Sequence, residues 1–186
     1  MLPKLYLEID SKENIKNMLE NYCDFILCKP SNDTEEYMFY AKEKLTILAT
    51  DGSGGVYAIV GDGDVEKLSV VYVSSEGQAG KIANSFNELL SLIIYYPFWL
   101  DILKFSDNAD IDRMIDTVPL LEKERLEDIP DYIEIQEEIG CNLGLAKSKK
   151  SINNLRNIVI EKPGFVVCST EDNNPSETLV NFYVIE

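Results

Sequence analysis

Lys44-Leu45-Thr46-Ile47-Leu48-Ala49-Thr50, Asp51-Gly52-Ser53-Gly54-Gly55, Val56-Tyr57-Ala58-Ile59-Val60, Gly61-Asp62-Gly63-Asp64 and Leu68-Ser69-Val70-Val71-Tyr72-Val73-Ser74 follow one another before the middle of the chain. Three runs rich in β-branched and aromatic residues are separated by two glycine clusters. Each cluster holds an Asp-Gly pair, which supplies the positive φ of a tight hairpin turn. A parallel neighbour would need a crossover of about a dozen residues or more, so the three runs predict an antiparallel meander.

Outward from the meander the pattern turns helical. Ser11 to Tyr22 opens on a residue able to cap a helix and places Ile15, Met18, Leu19 and Tyr22 at helical spacing. Lys29 to Thr34 reads as a turn cluster, and Glu36 to Ala41 as a short strand. After the meander, Ser75-Glu76-Gly77-Gln78 fits a capping box, and Ile82, Phe86, Leu89, Leu90, Ile93 and Ile94 form one apolar stripe. A long helix is expected there, ended by Pro97, with a short helix over Phe98 to Leu103. Helical patterns resume from Asp110 to Asp128, interrupted at Pro119, and from Asp131 to Ile139. Gly164 to Thr170 and Leu179 to Ile185 read as two strands around a polar loop, expected to extend the same sheet. The fold class is α+β: an antiparallel meander flanked by N-terminal, central and C-terminal helices. One domain is expected over 1–186, with its core in about 1–106 and an acidic helical region and terminal strands in 107–186.

Charge narrows the function. The chain of 186 residues carries 17 Lys plus Arg against 33 Asp plus Glu, a net charge of −16. Such a surface repels phosphate backbones, so no nucleic-acid partner is expected. The chain has no histidine, which removes Ser-His-Asp and Cys-His nucleophiles and histidine-ligated zinc. Cys23, Cys28, Cys141 and Cys168 are scattered without a C-x-x-C pair, and are expected as thiols in or near the core, with no metal and no cofactor. The N-terminus has no apolar signal region, and the longest apolar run, Leu92 to Leu100, is too short for a bilayer and contains Pro97. No membrane contact and a cytoplasmic location are expected; the oligomeric state is not legible.

Val70 to Ile82 has the strand, loop, Gly-Lys and helix order of a phosphate-binding loop. It lacks the first glycine, having Ser75 there, and has Ile82 where a magnesium-binding hydroxyl belongs. Asp62, Asp64 and Glu66 do not follow the order of a calcium loop, and hairpin turns account for them. With 33 acids, a carboxylate pair for hydrolysis is always available and so has little specificity. The aromatic cluster Tyr95, Tyr96, Phe98 and Trp99 reads as core packing rather than a ligand groove. From Asp101 to Asn142, thirteen acids face four bases. Glu134, Glu137 and Glu138 share a helical face, with Glu127, Asp128 and Asp131 just before them. Such a face is either simply solvated or a docking surface for a basic protein.

Ile47 to Ala58, Val71 to Ala83, Phe86 to Leu90 and Tyr96-Pro97-Phe98-Trp99 together resemble bacterial members of the SUKH superfamily, which also includes the yeast cell-wall-assembly regulators. The resemblance rests on Asp51, Gly52, Gly54, Gly55, Ser75, Glu76, Gly77, Gly80 and Trp99. It implies a small α+β fold with an antiparallel sheet and, for many members, immunity: neutralising a toxin by direct contact. No catalytic residue is implied. The chain lacks the Trp near the N-terminus and the Asn-Gly turn that many members share, as a divergent branch would. The expected function is an immunity-type protein that occludes a basic toxin domain, such as a nuclease. The acidic set Glu127, Asp128, Asp131, Glu134, Glu137 and Glu138 would be its partner-binding surface. A regulatory or scaffold module of the cell-wall-assembly type, and a carboxylate-dependent hydrolase, stand as alternatives.

Overall fold

The computed structural model describes residues 1–180. Among the described residues there are eight strands, β1 (Ile26–Ser31), β2 (Phe39–Ala41), β3 (Leu45–Thr50), β4 (Val56–Val60), β5 (Val70–Val73), β6 (Gln78–Ala83), β7 (Val167–Ser169) and β8 (Glu177–Thr178), and seven helices. The helices are α1 (Lys4–Asp10), α2 (Glu13–Cys23), α3 (Phe86–Tyr95), α4 (Trp99–Lys104), α5 (Ile111–Asp128), α6 (Tyr132–Leu143) and α7 (Lys150–Val159). The fold is α+β. A six-stranded sheet in the order β1-β3-β4-β5-β6-β8 is antiparallel except at β6–β8, and β2 pairs with β7 in a separate two-stranded sheet.

The meander forms where it is expected, with Ala58 opposite Ile47 on one side and Val71 on the other. Val56 to Ile59 and Val70 to Val73 are buried at every position. The reason is that both faces of the sheet are covered, which turns alternation into continuous apolar runs. On one face Tyr57, Ile59, Val70, Tyr72 and Ile82 meet the apolar faces of the helices, among them Leu19, Leu90, Ile93 and Trp99. On the other, Ile47, Ala58, Val71 and Val73 are roofed by Phe39, Phe165 and Val167.

Local reading fails where tertiary partners decide. Ser75 caps no helix: Ser74 to Gln78 is a hairpin turn, with Gly77 at φ +83° and the Gln78 N–H donating to Ser74 Oγ. The chain then runs as β6 beside β5. A helix here would hold Gly77 and Gly80 in its interior, at about 1 kcal/mol each. As a strand, Gly80 leaves room for Leu179, whose Cδ1 would lie 2.8 Å from an added Cβ. The helix starts at Phe86 instead, capped by Ser85, whose Oγ accepts from the Glu88 N–H, while the Glu88 carboxylate accepts from Asn84.

Five further expectations are corrected. Ser11 closes α1, which the sequence reading does not include, and α2 begins after Lys12. The supposed turn at Lys29 to Ser31 is the end of β1, and an edge strand tolerates Pro30. Glu35–Tyr37 is a 3-10 turn, leaving only Phe39–Ala41 as strand. Helix α5 runs through Pro119, and the sequence reading does not include α7. The first of the two expected terminal strands is β7, which joins the small sheet rather than the large one, and β8, at the edge of the large sheet, lies at the end of the expected polar loop. The expected strand at Leu179 to Ile185 lies mostly outside the described residues, and Leu179 and Val180 are buried beside the core.

Candidate functional site

Helix α6 is anchored by its inner face, and that anchoring fixes where its acids point. Tyr132, Gln136, Ile139, Gly140 and Leu143 recur at spacings of four, three, one and three and are all buried. Gln136 Nε2 donates to the Ile94 carbonyl at 2.6 Å and to the Tyr132 hydroxyl at 2.7 Å, tying α6 to α3. Gly140 admits the Tyr95 ring, whose Cζ would lie 2.9 Å from an added Cβ, and the Tyr95 hydroxyl donates to the Leu145 carbonyl. Glu134, Glu137 and Glu138 are thereby turned to solvent, as are Glu127 and Asp128 at the end of α5 and Asp131 in the connection. All six sequence-selected acids are exposed, along a corner that runs from the end of α5 through the connection to the middle of α6.

Their electrostatics divide them. Asp131 and Glu134 lie at the N-terminal end of α6, where the helix dipole stabilises negative charge. Glu127 and Asp128 occupy the last turn of α5, where the dipole disfavours it, and Glu137 and Glu138 lie in the middle of α6, beyond the reach of either end. Glu134 and Glu138 are also like charges four residues apart. Little compensates them. Lys123 reaches Glu127 at 3.8 Å, with both side chains mostly exposed. Arg125, the nearest other cation in sequence, turns inward: it donates to the Tyr22 carbonyl at 2.8 Å and lies 5.8 Å from the Tyr132 ring centroid.

The glycine-turn residues are brought together elsewhere, as a structural joint. The buried Asp51 carboxylate accepts from the Ser53 N–H and hydroxyl and the Gly55 N–H through Oδ1, and from the Tyr72 hydroxyl through Oδ2 at 2.6 Å. Trp99 packs edge-on against Tyr72, ring centroids 5.1 Å apart. Burial, then the Asp51 carboxylate, push the Tyr72 hydroxyl well above its ordinary range. Gly52 donates to Asp24, and Gly54 lies beside Ser75 of the neighbouring hairpin turn. The spacing Asp51, Ser53, Gly55 is the sequence signal of this turn, since an Asp carboxylate readily accepts from backbone N–H groups two residues on.

Other expectations resolve with the geometry. Tyr95, Tyr96 and Trp99 are buried packing residues. The phosphate-loop layout is a hairpin, with no helix behind it to receive a phosphate. Cys23 is buried and its thiol is raised to about 12 by burial, but Cys141 is exposed, contrary to the expectation of a position near the core. Among the described residues, no group of His, Cys, Asp and Glu is placed to hold a metal ion, and no helix is long and apolar enough to cross a membrane. Two surface depressions escape a reading of the sequence. One of about 830 Å³ lies between α5 and α7, with Tyr96, Ile115 and Ile152 in its walls and both signs of charge at its rim. The other, of about 490 Å³, lies against the glycine turns.

No family model, curated protein or solved structure matches the chain.

Proposed function

We propose that this chain is a binding module that neutralises a basic protein, a bacterial toxin domain, by covering it, in the manner implied by its resemblance to SUKH immunity proteins. The observation that carries this reading is the α5–α6 corner. Glu127 and Asp128 are exposed in the last turn of α5, against its dipole, Glu137 and Glu138 are exposed along α6, and the nearby arginine is directed inward. A carboxylate placed against a dipole costs about 0.3–1 kcal/mol at low salt. A basic surface docked on the corner would offset that cost and gain in association rate from the clustered negative potential. Neutralisation by contact requires shape and charge rather than a reacting group.

The test is capture by the tagged chain from its native cells at low and high salt. A basic protein held at low salt and released at high salt is expected, and co-expression of the chain should relieve the growth inhibition that this protein causes. Capture that ignores salt, or a partner whose toxicity the chain does not relieve, would contradict the reading.

A further inference from the structure

The cleft of about 490 Å³ lies on the face of the sheet away from the helices, beside the β5–β6 turn. Its floor is apolar, made by Phe39, Val56, Val73 and Val167 from both sheets. Tyr37 and Met38 form one lip, and Met38 is 53% exposed in a left-handed backbone conformation at φ +65°. Among the described residues, the charged side chains lining the cleft are all carboxylates: Glu76 in the hairpin turn and Glu171 and Asp172 in the loop after β7. Asp172 is engaged in its own loop, accepting from the Asn174 backbone and side-chain amides. Glu76 and Glu171 make no ion pair with any described residue.

An apolar floor, an aromatic lip and two carboxylates at the rim describe the surroundings of one kind of guest. It needs a hydrocarbon stem to lie on Phe39 and Val73 and a cationic head to reach Glu76 and Glu171. Arginine and lysine side chains have that build, with the charge held at the end of an apolar stem. Arginine fits better, since its planar fork can pair with carboxylates and stack on a tyrosine ring. Met38 is an unbranched, polarizable side chain at the lip that can close over such a stem.

We infer that this cleft is a docking site for an arginine side chain presented by an extended segment of a protein partner. It stands apart from the α5–α6 corner and does not depend on the function proposed above. The charge complementarity of the rim and the apolar floor together select this occupant. An anionic ligand would meet carboxylates alone, and a neutral apolar one would draw no attraction from Glu76 and Glu171.

The test is a titration of the ¹⁵N-labelled chain with acetyl-Gly-Arg-Gly-amide, read by amide chemical shifts. The same peptide with citrulline for arginine keeps the shape and removes the charge. Saturable shifts are expected at Gly54, Ser75, Glu76, Gly77 and Ser176. The citrulline peptide should bind about tenfold more weakly or not at all, the loss of a charge-assisted hydrogen bond. The double variant E76Q/E171Q changes exposed residues, is expected to keep the wild-type amide spectrum, and should lose the affinity to the same degree. Equal binding of the citrulline peptide, an unaltered titration of the double variant, or shifts confined to the α5–α6 corner would overturn the assignment. A failure to capture any basic protein from cells would leave this titration unchanged, so the two readings fail separately.

Discussion

At the scale of single residues, one buried carboxylate joins two hairpins. Asp51 takes donors from its own turn through Oδ1 and from Tyr72 of β5 through Oδ2, and Gly55 lets the tyrosine reach it. The constraint at Gly55 is steric: an added Cβ would overlap the Tyr72 hydroxyl and lie 2.5 Å from Asp51 Oδ2. G55A should therefore destabilise the chain by about 3 kcal/mol, the upper range for overpacking, seen as a lower urea midpoint. A second prediction follows from buried acids held neutral. Burial raises Cys23 from 9.0 and Tyr6 from 10.0 to about 12, and drives Tyr57, Tyr72 and Tyr132 upward as well. The unfolded chain releases these protons at the ordinary values, whereas the folded chain holds them. Stability from this source is full below about pH 9 and is lost as pH rises through the folded values. The urea midpoint should fall steadily from about pH 9 to 12, with tyrosinate absorbance appearing together with unfolding. An unchanged midpoint at about pH 11 would refute it.

At the scale of elements, two of the acids in the candidate surface, Glu127 and Asp128, weaken α5 as a helix. Replacing Glu127 and Asp128 by Gln and Asn should raise stability by about 1 kcal/mol in low salt, less in high salt, by denaturant titration. A loss of stability would show that these carboxylates serve the fold. This division was half legible. Composition and spacing reveal that acids cluster between Asp101 and Asn142, and helical periodicity shows which share a face. Which of them oppose a dipole depends on helix ends, the part of a pattern least fixed by local sequence. The meander was legible because its strands are buried on both faces and its turns carry Asp-Gly. Segment 76–83 was not, because a four-residue cap motif is local while the strand it became is selected by β5 and by Leu179 lying over Gly80. Strand β1 escaped notice since Lys29 and Pro30 signal a turn, yet at a sheet edge they also discourage further pairing. The cleft was illegible for another reason: Glu76 and Glu171 stand far apart in sequence and only the closure of two sheets brings them to one rim.

At the scale of the molecule, acids stand exposed on two distinct surfaces of a chain with a net charge of −16. The helical side ends in the sparsely compensated α5–α6 corner, and the opposite side carries the small sheet and its carboxylate-rimmed cleft. The central claim is that the corner steers a basic protein into contact. Long-range attraction of this kind appears in the association rate and fades with salt, while the dissociation rate reports the contacts made afterwards. The most direct measurement is therefore the association rate constant of the captured partner with the wild-type chain and with E134K/E137K/E138K, across a range of ionic strength. The account predicts that the variant associates about tenfold or more slowly at low salt, with a much flatter salt dependence, and that the two converge at high salt. Equal rates and equal salt dependence for the two chains would remove the corner from the interface.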